Sequence, residues 1–176
     1  MLVADAPGLL DDRAGVPFAG PAGKLLGELM AASGLGLAGV ALTQLVKCRA
    51  PGGRDPQPDE LAACRPKLDS QIALVRPRVI CALGTLATRV LTGREPRAQR
   101  GQTRRVTLAG HACTLICLHH PGAALHNRRL VPELAADLAR VAALLGAAPP
   151  PPVGVLPGPE LEPGPGGGDD DQLGLF

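Results

Sequence analysis

Along residues 1–148, short apolar runs that end in Gly- or Pro-rich loops alternate with segments whose apolar residues recur at helical spacing, and this alternation constrains the fold more than any other feature. "MLVA" stops at "DAPG" and reads as a strand entering a loop that continues to Gly20. "PAGKLLGELMAASG" puts Pro21 at a first helical position, Leu25, Leu26, Leu29 and Met30 at helical spacing, and Gly34 at the close. "GVALTQLV" is a second strand, "KCRAPGGRDPQP" a long loop, and "PDELAACRPKLDSQIALV" a helix that Pro66 kinks. "RVICAL" is a third strand, followed by a short helix from Thr85 to Leu91 and the basic loop "TGREPRAQRGQTRR". A hairpin "RVTLAGHACTLICL" turns at Ala109 and Gly110, the loop "HHPGAALHNRR" follows, and "VPELAADLARVAALL" is the last helix.

The order βαβαβαββα implies right-handed crossovers, so the expected fold is a three-layer α/β/α domain with a mostly parallel central sheet. In such sheets ligands bind beyond the carboxyl ends of the strands. The segments at those ends are "DAPG", "QLVKCRAP", "LGT" and "HHPG", and the unusual polar residues lie in or beside them. "GLGLAG" at 34–39 matches a dinucleotide-binding glycine pattern, but it follows a helix and precedes a strand, the reverse of the required arrangement.

Charge divides the chain. Residues 149–176 hold Glu160, Glu162, Asp169, Asp170 and Asp171 and no Lys or Arg. The preceding domain therefore carries all 18 Lys and Arg against 11 acids, a balance of +7 that favours a polyanion such as nucleic acid. No basic start with a short apolar run and no apolar stretch of membrane-spanning length occurs, so a cytoplasmic protein without a membrane partner is expected. Without a secretory context the five Cys do not suggest a disulfide framework. Cys81, Cys113 and Cys117 sit in apolar runs and read as small buried hydrophobes, whereas Cys48 and Cys64 lie in or beside loops among Pro, Gly and Arg.

"DAPGLLDDRAGVPFAGPAGKLL", "TQLVKCRAPGGRDPQPDELAACRPKL", "VICALG" and "HHPGAALHN", in that order and spacing, resemble the family 4, iron–sulfur type, uracil-DNA glycosylases from about Leu2 to Leu145. The resemblance implies a uracil-DNA glycosylase-like fold. It also implies hydrolysis of the N-glycosidic bond of deoxyuridine in DNA, which starts base excision repair and requires the base to leave the stack for a pocket. Phe18 matches the family's uracil-stacking residue. His120 matches its His-Pro motif, a donor toward the departing base. Ala4-Asp5-Ala6-Pro7-Gly8 stands where the family has Gly-Glu-Ala-Pro-Gly, so Ala4 and Ala6 line the base and Asp5, one methylene shorter than Glu, is a candidate carboxylate. Asp11 is the other, and sequence does not choose between them. Gln44 stands at the family's base-reading Asn. Lys47, Arg49, Arg104 and Arg105, with Arg54, Arg94, Arg97 and Arg100, are expected to face phosphates. No Lys sits among the pocket motifs, so a monofunctional enzyme without a lyase step is expected. A catalytically impaired, clamp-tethered uracil- or DNA-binding protein and an enzyme of free nucleosides are the alternatives.

The family holds a [4Fe–4S] cluster on four Cys, and Cys48 and Cys64 match the second pair. The first pair, a Cys-x-x-Cys before the first strand, has no counterpart, which suggests an N-terminally shortened sequence. If the chain is complete as written, no stable cluster is expected. Residues 149–171, dominated by Pro and Gly, are expected to form a disordered acidic linker with a root-mean-square reach on the order of 25 Å. The closing "QLGLF", residues 172–176, resembles the bacterial sliding-clamp-binding pentapeptide, with Gln172 supplying hydrogen bonds and Leu173, Leu175 and Phe176 the apolar anchors. A monomer held near the nucleoid by the polymerase sliding clamp is the resulting expectation.

Overall fold

The computed structural model describes residues 1–36 and 38–146. Strand β1 (Leu2–Ala4) leads into helices α1 (Leu9–Ala14) and α2 (Pro21–Ala32). Then come β2 (Leu42–Gln44), α3 (Pro58–Val75), β3 (Val79–Leu83) and α4 (Thr85–Thr92). Hairpin strands β4 (Thr103–Leu108) and β5 (His111–Leu118) precede α5 (Pro121–His126) and α6 (Leu130–Leu145). The sheet order is β2-β1-β3-β5-β4, with β4 antiparallel at one edge and the other strands parallel. The expected three-layer α/β/α fold is the one observed.

Alternation along the strands divides the core between the two faces. Leu2, Ala4, Cys81, Leu83, Ile116 and Leu118 pack with Leu26 and Met30 of α2 and with Leu134, Leu138 and Val141 of α6. Val3, Ile80, Ala82, Leu115 and Cys117 pack on the other side with Leu68 and Ile72 of α3 and with Ala87 and Leu91 of α4. Cys81, Cys113 and Cys117 are buried among these apolar side chains, as their runs imply. The hairpin turns where expected, with Ala109 and Gly110 both at positive φ (49° and 73°), as a two-residue turn between twisted strands requires.

Two details differ from the sequence reading. The loop before Gly20 contains α1, held at its start by the Asp11 carboxylate, which accepts from the Gly8 N–H at 3.3 Å. The "HHPG" loop contains α5, with His120 as its N-cap and Pro121 in the first turn. Pro66 lies inside α3, which runs unbroken from Pro58 to Val75. Among the described residues no helix is long and apolar enough to cross a membrane. The linker 149–171 and the pentapeptide 172–176 lie outside the described residues.

Register positions the site. Ala4 pairs with Gln44 on one side and with Leu83 on the other, and Leu83 pairs with Leu118. Four parallel strands thus end level, and the residues that follow them form one ledge.

Candidate active site

Asp5, the first residue after β1, is half-buried and points at the start of α4, where its Oδ1 accepts from the Ala87 N–H at 2.6 Å. Burial raises its pKa to about 6, against the lowering effect of the Ala87 and Leu86 N–H groups, with the Asp55 charge adding to the rise. Gly84 makes this approach possible: it sits at φ +103°, and a Cβ there would stand 2.7 Å from Asp5 Oδ2. Asp5, Thr85, Thr88, Arg97, Arg100, His119 and His120 line one cavity of about 500 Å3.

His120 caps α5 with its own ring, Nδ1 accepting from the Gly122 N–H at 3.0 Å. An acceptor Nδ1 leaves the proton of a neutral imidazole on Nε2, the nitrogen that is free to donate. Burial pulls the His120 pKa below the ordinary value, with the Asp11 charge acting the other way. The neutral, donating form therefore prevails at physiological pH.

Phe18 and His120 are brought together: their rings stack at a centroid distance of 5.9 Å with planes 23° apart. Phe18 sits at φ +61°, a conformation a bulky residue adopts only where its surroundings impose it. Two contacts impose it here. The Asp11 Oδ1 accepts from the following N–H, that of Ala19, at 2.9 Å. Gly23 of α2 lies against the Phe18 backbone so closely that a Cβ there would stand 1.7 Å from the Phe18 carbonyl oxygen.

Gln44, buried at the end of β2, donates from Nε2 to Asp11 Oδ2 at 2.8 Å and to the Ala6 carbonyl at 3.3 Å. Asp11 and Gln44 line a second cavity, of about 250 Å3, with Pro17, Thr43 and Lys47. The two carboxylates that sequence left undivided thus occupy different cavities. Ala4 is buried in the sheet, and the Ala6 carbonyl accepts from the Gln44 amide.

The basic residues separate by environment. Lys47 Nζ donates to Thr43 Oγ1, to the Gln44 carbonyl and to Gln71 Oε1, at 2.6 to 2.8 Å, and burial lowers its pKa. Its charge braces β2. Arg49 lies half-buried against Gly53, Arg104 reaches Gln99 Oε1 at 3.2 Å, and Arg105 is exposed on the edge strand. His119 stands 2.6 Å from Arg100 and 3.1 Å from Glu133, and Arg100 also pairs with Glu133 at the rim of the larger cavity.

Cys48 and Cys64 line a single cavity of about 210 Å3. Four thiolates hold an iron–sulfur cluster in the usual site. Among the described residues no group of three or more His, Cys, Asp or Glu side chains converges as a metal site. Cys48 and Cys64 offer half of a cluster's ligand set.

Sequence reasoning did not single out Gly23, Gly84 or Gly122, which hold Phe18, Asp5 and His120 in place. Their positions beside the motif residues, in "GPAGK", "ALGT" and "HHPG", were the available signal.

A family profile describing the uracil DNA glycosylase superfamily matches residues 1–145. The type-4 uracil-DNA glycosylase of Pyrobaculum aerophilum is 39% identical over 147 residues, covering 79% of this chain and 74% of that protein. That of Archaeoglobus fulgidus is 34% identical over 152 residues (83% and 76%), and that of Saccharolobus solfataricus 36% identical over 156 residues (85% and 72%). With this extent of match, the chain belongs to the uracil-DNA glycosylase superfamily and, within it, to the type-4 family.

Proposed function

We propose that the protein hydrolyses the N-glycosidic bond of deoxyuridine in DNA and so starts base excision repair. The observation that carries this reading is the pairing of Phe18 with an imidazole whose donor nitrogen is fixed by the Gly122 N–H. A flipped base enters at the ledge and stacks on Phe18. Gln44 reads its edge. As the bond from N1 to C1′ stretches, its electron pair moves into the uracil ring, and the His120 Nε2–H donates to the ring oxygen where charge accumulates. The sugar becomes cation-like, and the Asp5 carboxylate, ionised above about pH 6, faces it and takes the proton of the water that adds to C1′. Asp11, with three hydrogen bonds to its carboxylate, serves the geometry rather than the bond-breaking step.

DNA is held by Arg97 and Arg100 at the cavity and by Arg49, Arg104 and Arg105 beyond it. Cys48 and Cys64 supply two ligands of the family's cluster, a reading their shared cavity supports. The protein works as a monomer, and its terminal pentapeptide, Gln172 to Phe176, tethers it to the sliding clamp and raises its effective concentration on newly made DNA.

The test is release of uracil from a single-stranded oligonucleotide by the unaltered protein, by His120→Ala and by Asp5→Ala. Turnover by the first and its loss in the others is expected. DNA binding without turnover, or activity confined to free deoxyuridine, would reject the assignment.

A further inference from the structure

We infer that Asp11 is a positioning residue that sets the preference for uracil over cytosine by locking the orientation of the Gln44 side-chain amide. This rests on the reading of Gln44 as the group that meets the base edge. Two acceptors face one end of that amide, Asp11 Oδ2 at 2.8 Å and the Ala6 carbonyl oxygen at 3.3 Å. Only an NH2 group satisfies both. The reversed amide would set its oxygen against a carboxylate and a carbonyl at once, so the surroundings dictate the orientation.

The consequence falls on Oε1. Among the described residues it has no protein donor, and it is not sealed from solvent, because the described buried side-chain oxygen that lacks both a partner and access is Asp137 Oδ2. A carbonyl oxygen left without a protein donor accepts from whatever enters beside it. Uracil presents an N–H at ring position 3, and cytosine presents a bare ring nitrogen with a lone pair there. A locked acceptor therefore meets a donor in uracil and a repelling lone pair in cytosine, and an unmatched polar group of this kind discriminates far better than a difference in shape. A freely rotating amide would serve both bases.

Asp11 is suited to the task because its carboxylate has no donor of its own and cannot reverse its preference. Its second oxygen is engaged by the Ala19 N–H at 2.9 Å, the residue after Phe18. One side chain thus sets the amide that reads the base and the loop that stacks on it.

Asp11→Asn tests the lock, since the new side-chain oxygen still accepts from Ala19 while the new NH2 faces Gln44; the same NH2 also meets the Gly8 N–H that Oδ2 accepts at 3.3 Å, a loss that falls on both probes alike and leaves their ratio unchanged. Either orientation of Gln44 then meets one conflict, and the lock is lost. The probes are single-stranded oligonucleotides carrying one 2′-fluoro-2′-deoxyuridine or one 2′-fluoro-2′-deoxycytidine, whose glycosidic bonds resist cleavage, with the ratio of the two Kd values as the readout. Asp11→Asn should shrink that ratio on the order of 10- to 100-fold. Gln44→Ala should shrink it as much, and adding Asp11→Asn to Gln44→Ala should change it no further. Asp11→Glu, which keeps an acceptor-only group, should retain most of the preference.

If Asp11→Asn lowers the ratio equally in the presence and absence of the Gln44 amide, or leaves it intact while Gln44→Ala destroys it, the inference about Asp11 is wrong and the role of Gln44 stands. If Gln44→Ala leaves the ratio intact, both are wrong. A general loss of affinity for both probes at constant ratio would identify Asp11 as structural only and would also overturn the inference.

Discussion

Phe18 and His120 stack at 5.9 Å although 102 positions of sequence separate them. Phe18 hangs from the loop before α2, and His120 from the ledge after β5. Contact between α2 and α5 closes the gap, so the stacking surface and the donor share one wall.

Removing the donor should act on the chemical step. His120→Ala is expected to lower single-turnover cleavage on the order of 100- to 1000-fold, with DNA affinity nearly unchanged. His120→Gln, which restores an N–H donor without a titratable ring, should recover part of the loss.

Gly23→Ala should behave like Phe18→Ala. A Cβ 1.7 Å from the Phe18 carbonyl oxygen cannot be tolerated without moving the loop. Both variants should weaken binding of uracil-containing DNA while leaving the circular dichroism spectrum unchanged, and a fully active Gly23→Ala enzyme would show that the loop is free to shift.

Asp5 gives the pH dependence. Its folded pKa of about 6 exceeds the ordinary 3.8, so between those values the folded state keeps a proton that the unfolded chain has lost. Stability therefore falls as pH rises from 4 to 6, and above 6 the full penalty, roughly 3 kcal/mol, is present. Asp5→Asn should raise Tm by roughly 6 to 12 °C at pH 8 and scarcely at pH 3.5. Activity moves in the opposite sense: cleavage by the unaltered protein should climb through about pH 6 as the carboxylate ionises, and Asp5→Asn should abolish that limb along with most of the turnover.

The basic residues should separate by salt. Arg105→Ala is expected to lower DNA affinity and to reduce the slope of log Kd against log salt by about one. Lys47→Met should leave the slope alone, because its ammonium is held by Thr43, Gln44 and Gln71, and should instead reduce thermal stability and base discrimination.

Deleting residues 172–176 should abolish binding to the sliding clamp and leave cleavage of short oligonucleotides unaffected. Surface plasmon resonance against immobilised clamp is the check, and an unchanged affinity would reject the tether.

How far the sequence spoke depended on the range of the forces involved. The strand ends and the helices α2, α3, α4 and α6 were legible because each has a buried apolar face that leaves a period in the sequence. α1 has no buried residue and α5 is a single short turn region capped by an imidazole, so neither left that mark. The roles of Asp5 and Asp11 were hidden for another reason. The partner that engages Asp5, the Ala87 N–H, lies 82 residues away, and the amide that engages Asp11 lies 33 away. Composition of the loop cannot reveal which direction each carboxylate turns. The braced state of Lys47 was equally concealed, since a lysine between a valine and a cysteine in a loop looks free until Gln71 of α3 arrives beside it.

The level ending of the four parallel strands makes the site a by-product of alignment. Asp5, Leu45, Gly84 and His119 each follow a paired residue in the same row. Inserting one residue within β1 would leave the apolar count nearly intact, yet it would send Asp5 toward the opposite helical layer and hand its place to a methyl group. Such a protein could fold and still be chemically silent, so tolerance to insertion in these strands measures catalysis rather than folding.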